Sequence, residues 1–232
     1  MDWLHLSPDE WEAIRLSLRV ASIGTLASLP LGVLAAYALA RWRFPGKFLF
    51  DGLVHLPLVL PPVVTGYVLL LLFGRKGPIG AFLDSQFGIV FSFRWTGAAL
   101  AAAVMGFPLL VRAIRLSFEV ADRRLEDAAR TLGGNRLIVF FTIVLPLALP
   151  GILAGLVLAF AKALGEFGAT ITFVSNIPGE TRTLPTAIYT YTQVPGGDAN
   201  AARLAVVAVI LSLGALIVSE FLSRRITARI AG

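Results

Sequence analysis

Charged residues vanish from the chain in long blocks. Residues 20–40, 52–74, 95–111, 137–161 and 204–219 contain no Asp, Glu, Lys or Arg. A helix crossing the hydrocarbon core of a bilayer needs roughly 17–25 predominantly apolar residues, and each block reaches that length with its flanks. The pattern predicts an all-α integral membrane protein with five transmembrane helices. The first runs from about Trp11 to the Arg41-Trp42-Arg43 girdle, where aromatic and basic side chains suit the interface. The second covers Phe48–Phe73 and the third Trp95–Leu116. The fourth starts near Ile143 and extends toward Asn176, and the fifth ends near Leu222.

Irregularities within these blocks sharpen the picture. The second span holds Pro57, Pro61 and Pro62. Prolines free backbone carbonyls, which a membrane tolerates only beside neighbouring protein or a watery cavity. Pro61, Pro62 and the following Thr65 are therefore either a wall of a translocation path or a kink relieved by helix packing. The third span carries Gly97, Ala98, Ala99, Ala101, Ala102, Ala103 and Gly106, small residues that let helices pack closely in lipid. The fourth is long for a single crossing, and Gly165-Glu166-Phe167-Gly168 predicts tilt or a break there. Between spans, GPIGAFLDSQF within 75–94 reads as a short interfacial helix, and 177–200 as an external loop rich in Pro and Gly. Residues 117–136, SFEVADRRLEDAARTLGGNR, read as a polar helix on which Leu125, Ala128, Ala129 and Leu132 recur on one face. Gly133-Gly134 supplies the left-handed residue that ends it.

Composition agrees with a lipid environment: of 232 residues 57% are hydrophobic and 15% charged. The net charge of +6 does not indicate nucleic-acid binding, because the basic residues are scattered around the ends of spans. With no cysteine, disulfides and thiolate metal sites are excluded, and no His/carboxylate cluster completes a metal site. His55 stands alone near Asp51 and reads as a partnered packing residue. The acidic start MDWLHLSPDEWE is not a cleaved secretory signal.

The basic residues also orient the chain. With the N-terminus outside, the inner segments hold Arg41, Arg43, Lys47, Arg112, Arg115, Arg123, Arg124, Arg130, Arg136, Arg224, Arg225 and Arg229. The outer segments hold Arg75, Lys76, Arg94, Arg182 and Arg203. The excess on one side predicts an N-out, C-in arrangement by the positive-inside rule.

Two charges lie deep in apolar sequence, Lys162 and Glu166. Charges at such depth are costly and are functional candidates by default, and their i, i+4 spacing lets them pair. A structural ion pair and a gate in the path both fit. Thr170 and Thr172 follow; each offers its hydroxyl either to a helix carbonyl or to a passing oxyanion.

Residues 127–146 read DAARTLGGNRLIVFFTIVLP. An acidic-Ala-Ala triplet, a glycine after three more residues and a closing Ile-x-Leu-Pro resemble the coupling signature of permease subunits in bacterial binding-protein-dependent ABC importers, with Asp127 where Glu is commoner. The segments RFPGK at 43–47, HLPLVLPPVVTGYVLLL at 55–71, FPLLVRAIRLSFE at 107–119 and LGEFGATITFVSNIPGETRTLP at 164–185 make nearly the whole chain similar to the molybdate-importer branch of that family.

The resemblance implies one permease domain over residues 1–232 with the MetI-like importer fold and a coupling segment at about 117–136. It implies ATPase-coupling roles for Glu126, Asp127, Ala128, Ala129, Arg130, Leu132 and Gly133, and a path or gate built from Pro61, Pro62, Thr65, Lys162, Glu166 and Thr170. The implied assembly is a homodimer with two cytoplasmic ATPase subunits and a periplasmic molybdate-binding protein, in the bacterial inner membrane. Transport of molybdate, and possible tungstate, would proceed by alternating access; the alternative is a sulfate, thiosulfate or other oxyanion permease. No G-x-x-x-x-G-K-[ST] occurs, so ATP and its magnesium fall to the partner. The expectation is a chain with no cofactor and no enzymatic activity of its own.

Overall fold

The computed structural model describes residues 5–231. In the last helix, the side chains at 219, 220, 222–224 and 226–231 fall outside the described residues, and Arg224 and Arg229 of the inner basic set lie there.

The first helix, α1 (Pro8–Arg41), starts where the sequence supplies a stop for the preceding chain. Ser7 Oγ accepts from the Glu10 amide at 3.3 Å, and Glu10 Oε2 accepts from the Ser7 amide at 2.6 Å. This reciprocal capping box satisfies two amides that have no partner inside the helix, with Pro8 at the first helical position. Glu10 is also fully buried and binds Arg203 at 2.7 Å, tying α1 to the last helix, α12 (Asp198–Ala231). No spacing in the sequence signals that tie, since Glu10 and Arg203 lie near opposite ends of the chain.

The second span departs from the expected single helix. It consists of α2 (Lys47–Val59) and α3 (Pro62–Phe73), bent against each other by 115°. Leu60 is extended (φ −71°, ψ 144°). A residue before proline is pushed out of the helical region, and Pro61 and Pro62 remove two consecutive amide donors. Together they break the helix where one proline would kink it. The short helix α4 (Pro78–Phe87) follows as anticipated.

The third span, α5 (Trp95–Val120), is the central helix. Ala98, Ala99, Ala101, Ala102 and Gly106 are buried in it, and that small face lets α1 and α9 (Leu149–Leu164) approach closely. The polar segment at 117–136 is not one helix. Its first residues complete α5; Ala121 is extended, and Asp122 caps the separate helix α6 (Arg123–Thr131) by accepting from the Arg124 amide at 2.9 Å.

The fourth span begins earlier than expected, with α7 (Arg136–Val139). A π-helical turn (Phe140–Val144), the short α8 (Leu145–Leu147) and α9 follow, with a bend of 65° between Leu147 and Leu149. Pro146 and Pro150 explain the bend. The break foreseen at the glycines is present: α9 ends at Leu164 and α10 (Gly168–Val174) is a separate half-helix. The outer segment is also more ordered than a loop, since it contains α11 (Leu184–Thr192), with Pro185 in its first turn. Among the described residues, three helices are long and apolar enough to cross a membrane, and up to five spans result when each bent pair is taken as one.

Candidate functional site

Two places gather the candidate residues. The first is the arginine-rich end around α6. Its C-terminus is a complete Schellman motif: the Gly133 amide donates to the Arg130 carbonyl and the Gly134 amide to the Ala129 carbonyl, each at 3.0 Å. Gly133 has φ +89°, the left-handed conformation that glycine adopts without a Cβ penalty. Asn135 then caps α7 through its side chain, which accepts from the Ile138 amide at 2.8 Å. The chain is thus turned sharply from α6 into the fourth span by three successive residues.

α6 is fastened from behind. Arg41, the last residue of α1, places Nη2 2.9 Å from Glu126 Oε1 and donates to the Ala121 carbonyl at 3.0 Å. Both side chains are nearly buried, at 7% and 10% exposure. The pairing is an ion contact without hydrogen-bond alignment, for Arg41 Nε and Glu126 Oε1 both lack a hydrogen-bond partner among the described residues. Arg130 approaches the other Glu126 oxygen at 3.7 Å. Glu126 therefore faces its own protein. Ala129 is half-buried against the inner core cluster. The outward surface consists of Leu125, Asp127, Ala128 and Leu132, with Leu132 89% exposed. Beside α6 lies a cavity of about 630 Å³, lined by Arg41, Arg123, Glu126, Asp127, Arg130 and Arg136 among others.

The second place is where the two broken spans meet. α3 lies against α10 so closely that a Cβ on Gly66 would stand 2.5 Å from the Ala169 carbonyl oxygen, and one on Gly168 2.7 Å from Pro62 Cβ. The stretch of α3 that carries Pro62 and Thr65 thereby packs against the stretch of α10 that carries Gly168 and Thr170. Thr65 and Thr170 are buried, and Thr65 Oγ1 has no hydrogen-bond partner among the described residues.

The Lys162–Glu166 pair is formed, with Nζ 2.6 Å from Oε2. Glu166 is 2% exposed and its other oxygen accepts from the Ala169 amide at 3.0 Å. One carboxylate therefore spans the break: it holds the last turn of α9 through Lys162 and satisfies an unpaired amide at the start of α10. Thr172 donates to the Gly168 carbonyl at 2.8 Å, the helix-carbonyl role. His55 has the partners foreseen for it. Its Nδ1 lies 2.9 Å from the Asp51 carbonyl and 3.1 Å from Oδ1, and Arg115 Nη1 binds both Asp51 oxygens at 3.1 Å, joining α2 to α5.

Comparison with known proteins adds the family. Residues 28–231 match the family described as "binding-protein-dependent transport system inner membrane component". The chain is 61% identical over 219 residues to the molybdenum transport system permease protein ModB of Escherichia coli (strain K12), covering 94% of this chain and 96% of that one. It is 36% identical over 228 residues to the sulfate transport system permease protein CysT of Salmonella typhimurium, covering 97% and 81%. In fold it is similar to a bacterial alginate ABC transporter, solved in complex with an alginate-bound periplasmic protein, with a TM-score of 0.75 at 17% identity over 95% of this chain and 80% of that one. These matches, the helical architecture and the apolar spans lead to one conclusion: the chain belongs to the family of multi-pass inner-membrane permease components of binding-protein-dependent ABC importers.

Proposed function

We propose that this chain is the membrane permease of an ATP-driven molybdate importer, with tungstate as a further substrate. The observation that carries the reading is the match to ModB at 61% identity over nearly the full length of both chains, against 36% for the sulfate permease. In this reading two copies enclose the path, a periplasmic protein delivers the oxyanion, and two cytoplasmic ATPase subunits drive alternating access. The chain itself binds no cofactor and catalyses no reaction; ATP and magnesium belong to the partner.

The geometry supports a division of labour over a single permease domain. The outward strip Leu125, Asp127, Ala128 and Leu132 receives the ATPase, and Asp127, 3.9 Å from Arg130 Nη1 but 73% exposed at its side chain, also meets a partner cation. Ala129, Gly133, Glu126 and Arg130 set the position and exit angle of α6 from within. Motion of α6 is passed to α1 through Arg41 and to the fourth span through the Gly133 turn. The paired half-helices α3 and α10, with Pro61, Pro62, Thr65, Lys162, Glu166 and Thr170, form the part of the path that changes.

The test is uptake of labelled molybdate by cells whose own molybdate permease is deleted, with this chain co-expressed with its ATPase and binding protein. Saturable uptake that excess tungstate suppresses and excess sulfate leaves largely intact is expected. Uptake of sulfate in preference to molybdate would assign the chain to the sulfate branch instead.

A further inference from the structure

Five basic side chains are assigned above to the outer segments, and the structure separates them into two groups. Two are engaged: Arg203 holds Glu10, and Arg182 Nε donates to Asn176 Oδ1 at 3.3 Å. The other three, Arg75, Lys76 and Arg94, line one cavity of about 600 Å³ beyond the end of α3. Among the described residues, no side-chain hydrogen bond or ion pair reaches any of these three. No carboxylate lines the cavity. The neighbouring Glu180 instead accepts from the Trp95 amide at 3.4 Å.

The wall carries a hydroxyl as well. Ser92 lines the same cavity, and no hydrogen bond within the described residues occupies its hydroxyl. Phe93, between Ser92 and Arg94, has φ +59°, so the turn presenting both residues is held in a conformation that non-glycine residues rarely adopt.

We propose that this cavity is an outer-face binding site for a tetrahedral oxyanion dianion, a station on the import path; the proposal rests on the orientation and the import function argued above. Three cations gathered without a counter-ion repel one another, and a dianion relieves that repulsion while Ser92 donates to one of its oxygens. The cavity is much larger than a bare tetrahedral ion, so the anion keeps part of its hydration and binds weakly and in a salt-sensitive way. Weak binding suits a station that must also release. The site sits at one end of α3, and the other end carries Pro62 and Thr65 against α10, so the same half-helix leads from the cavity to the break. Unpaired positive charge at the outer mouth also raises the local concentration of an arriving anion.

The experiment is equilibrium dialysis of labelled molybdate against the purified full chain, without binding protein, at low and high salt. The same variants are assayed in parallel for cellular uptake. Saturable, salt-sensitive binding is expected for the unmodified chain. Arg75→Gln and Arg94→Gln should weaken it roughly tenfold or more, the cost of one charge-assisted contact, while Arg94→Lys restores most of it and Arg182→Gln leaves it unchanged. Absence of saturable binding, or equal binding by Arg75→Gln and Arg94→Gln, would overturn the site. So would mass spectrometry showing that Arg75 and Arg94 retain an anionic phospholipid that molybdate does not displace. Import by the unmodified chain with no binding here removes the site alone; failure of that chain to import molybdate removes the functional reading instead.

Discussion

Arg41 ends a membrane span, and from sequence it reads as an interfacial girdle residue like Arg43. In the fold it reaches under α6, where Glu126 and the Ala121 carbonyl meet it. Nothing in a linear reading joins two residues so far apart, since an arginine at a span end satisfies the positive-inside pattern without any partner. Gly133 was legible because its need is local: a helix end followed by two glycines specifies a left-handed residue, and the structure has φ +89° there. Replacing Glu126 with Ala leaves Arg41 buried without its charge partner, which costs roughly 3–5 kcal/mol. The purified variant should unfold at a clearly lower temperature than the parent; an unchanged Tm would show that the contact holds nothing.

Glu166 behaves differently from a simple half of an ion pair. A charge swap, Lys162→Glu with Glu166→Lys, restores the pairing but puts an ammonium where the Ala169 amide needs an acceptor. The swapped protein is therefore expected to remain about 1–3 kcal/mol less stable, the cost of a buried amide without a partner. Glu166→Gln, which keeps an acceptor oxygen, should be the milder change. Thermal unfolding of the two variants decides this, and full stability in the swapped protein would contradict the bridging role.

At the scale of elements, the number and order of apolar segments were readable, and their continuity was not. Hydropathy is blind to direction: residues 52–74 remain uncharged throughout although the chain turns by 115° within them. The signal for the turn was the adjacent Pro61 and Pro62, whose joint effect exceeds a kink. The helix inside 177–200 was hidden by flanking glycines and prolines, although Pro185 stands where prolines favour helix starts. On α6 the periodic small face was visible, but which half faces outward depends on the packing of Glu126 and Ala129. That packing makes two neighbouring alanines inequivalent. Ala129→Trp should overpack the chain's own interior and lower its stability by about 1–3 kcal/mol, whereas Ala128→Trp projects outward and should leave the Tm unchanged. Equal Tm losses in both would contradict the assigned face.

For the molecule as a whole, an N-out, C-in orientation puts α4 on the outer side of the membrane and α6 on the inner side. A cysteine replacing Ser85, exposed on α4, should react in intact cells with an impermeant thiol reagent. One replacing Thr131, exposed at the end of α6, should react only after permeabilisation. The opposite pattern would invert the topology and move the oxyanion cavity to the wrong side. In the proposed mechanism, ATP hydrolysis by a partner is converted into oxyanion import through the outward face of α6. Its most direct test is proteoliposomes holding this chain, its ATPase and its binding protein, with ATP hydrolysis and molybdate uptake measured together for the parent and Ala128→Trp. The variant is expected to insert and fold normally while binding-protein-stimulated hydrolysis and uptake fall together. Parental levels of both in Ala128→Trp would contradict it.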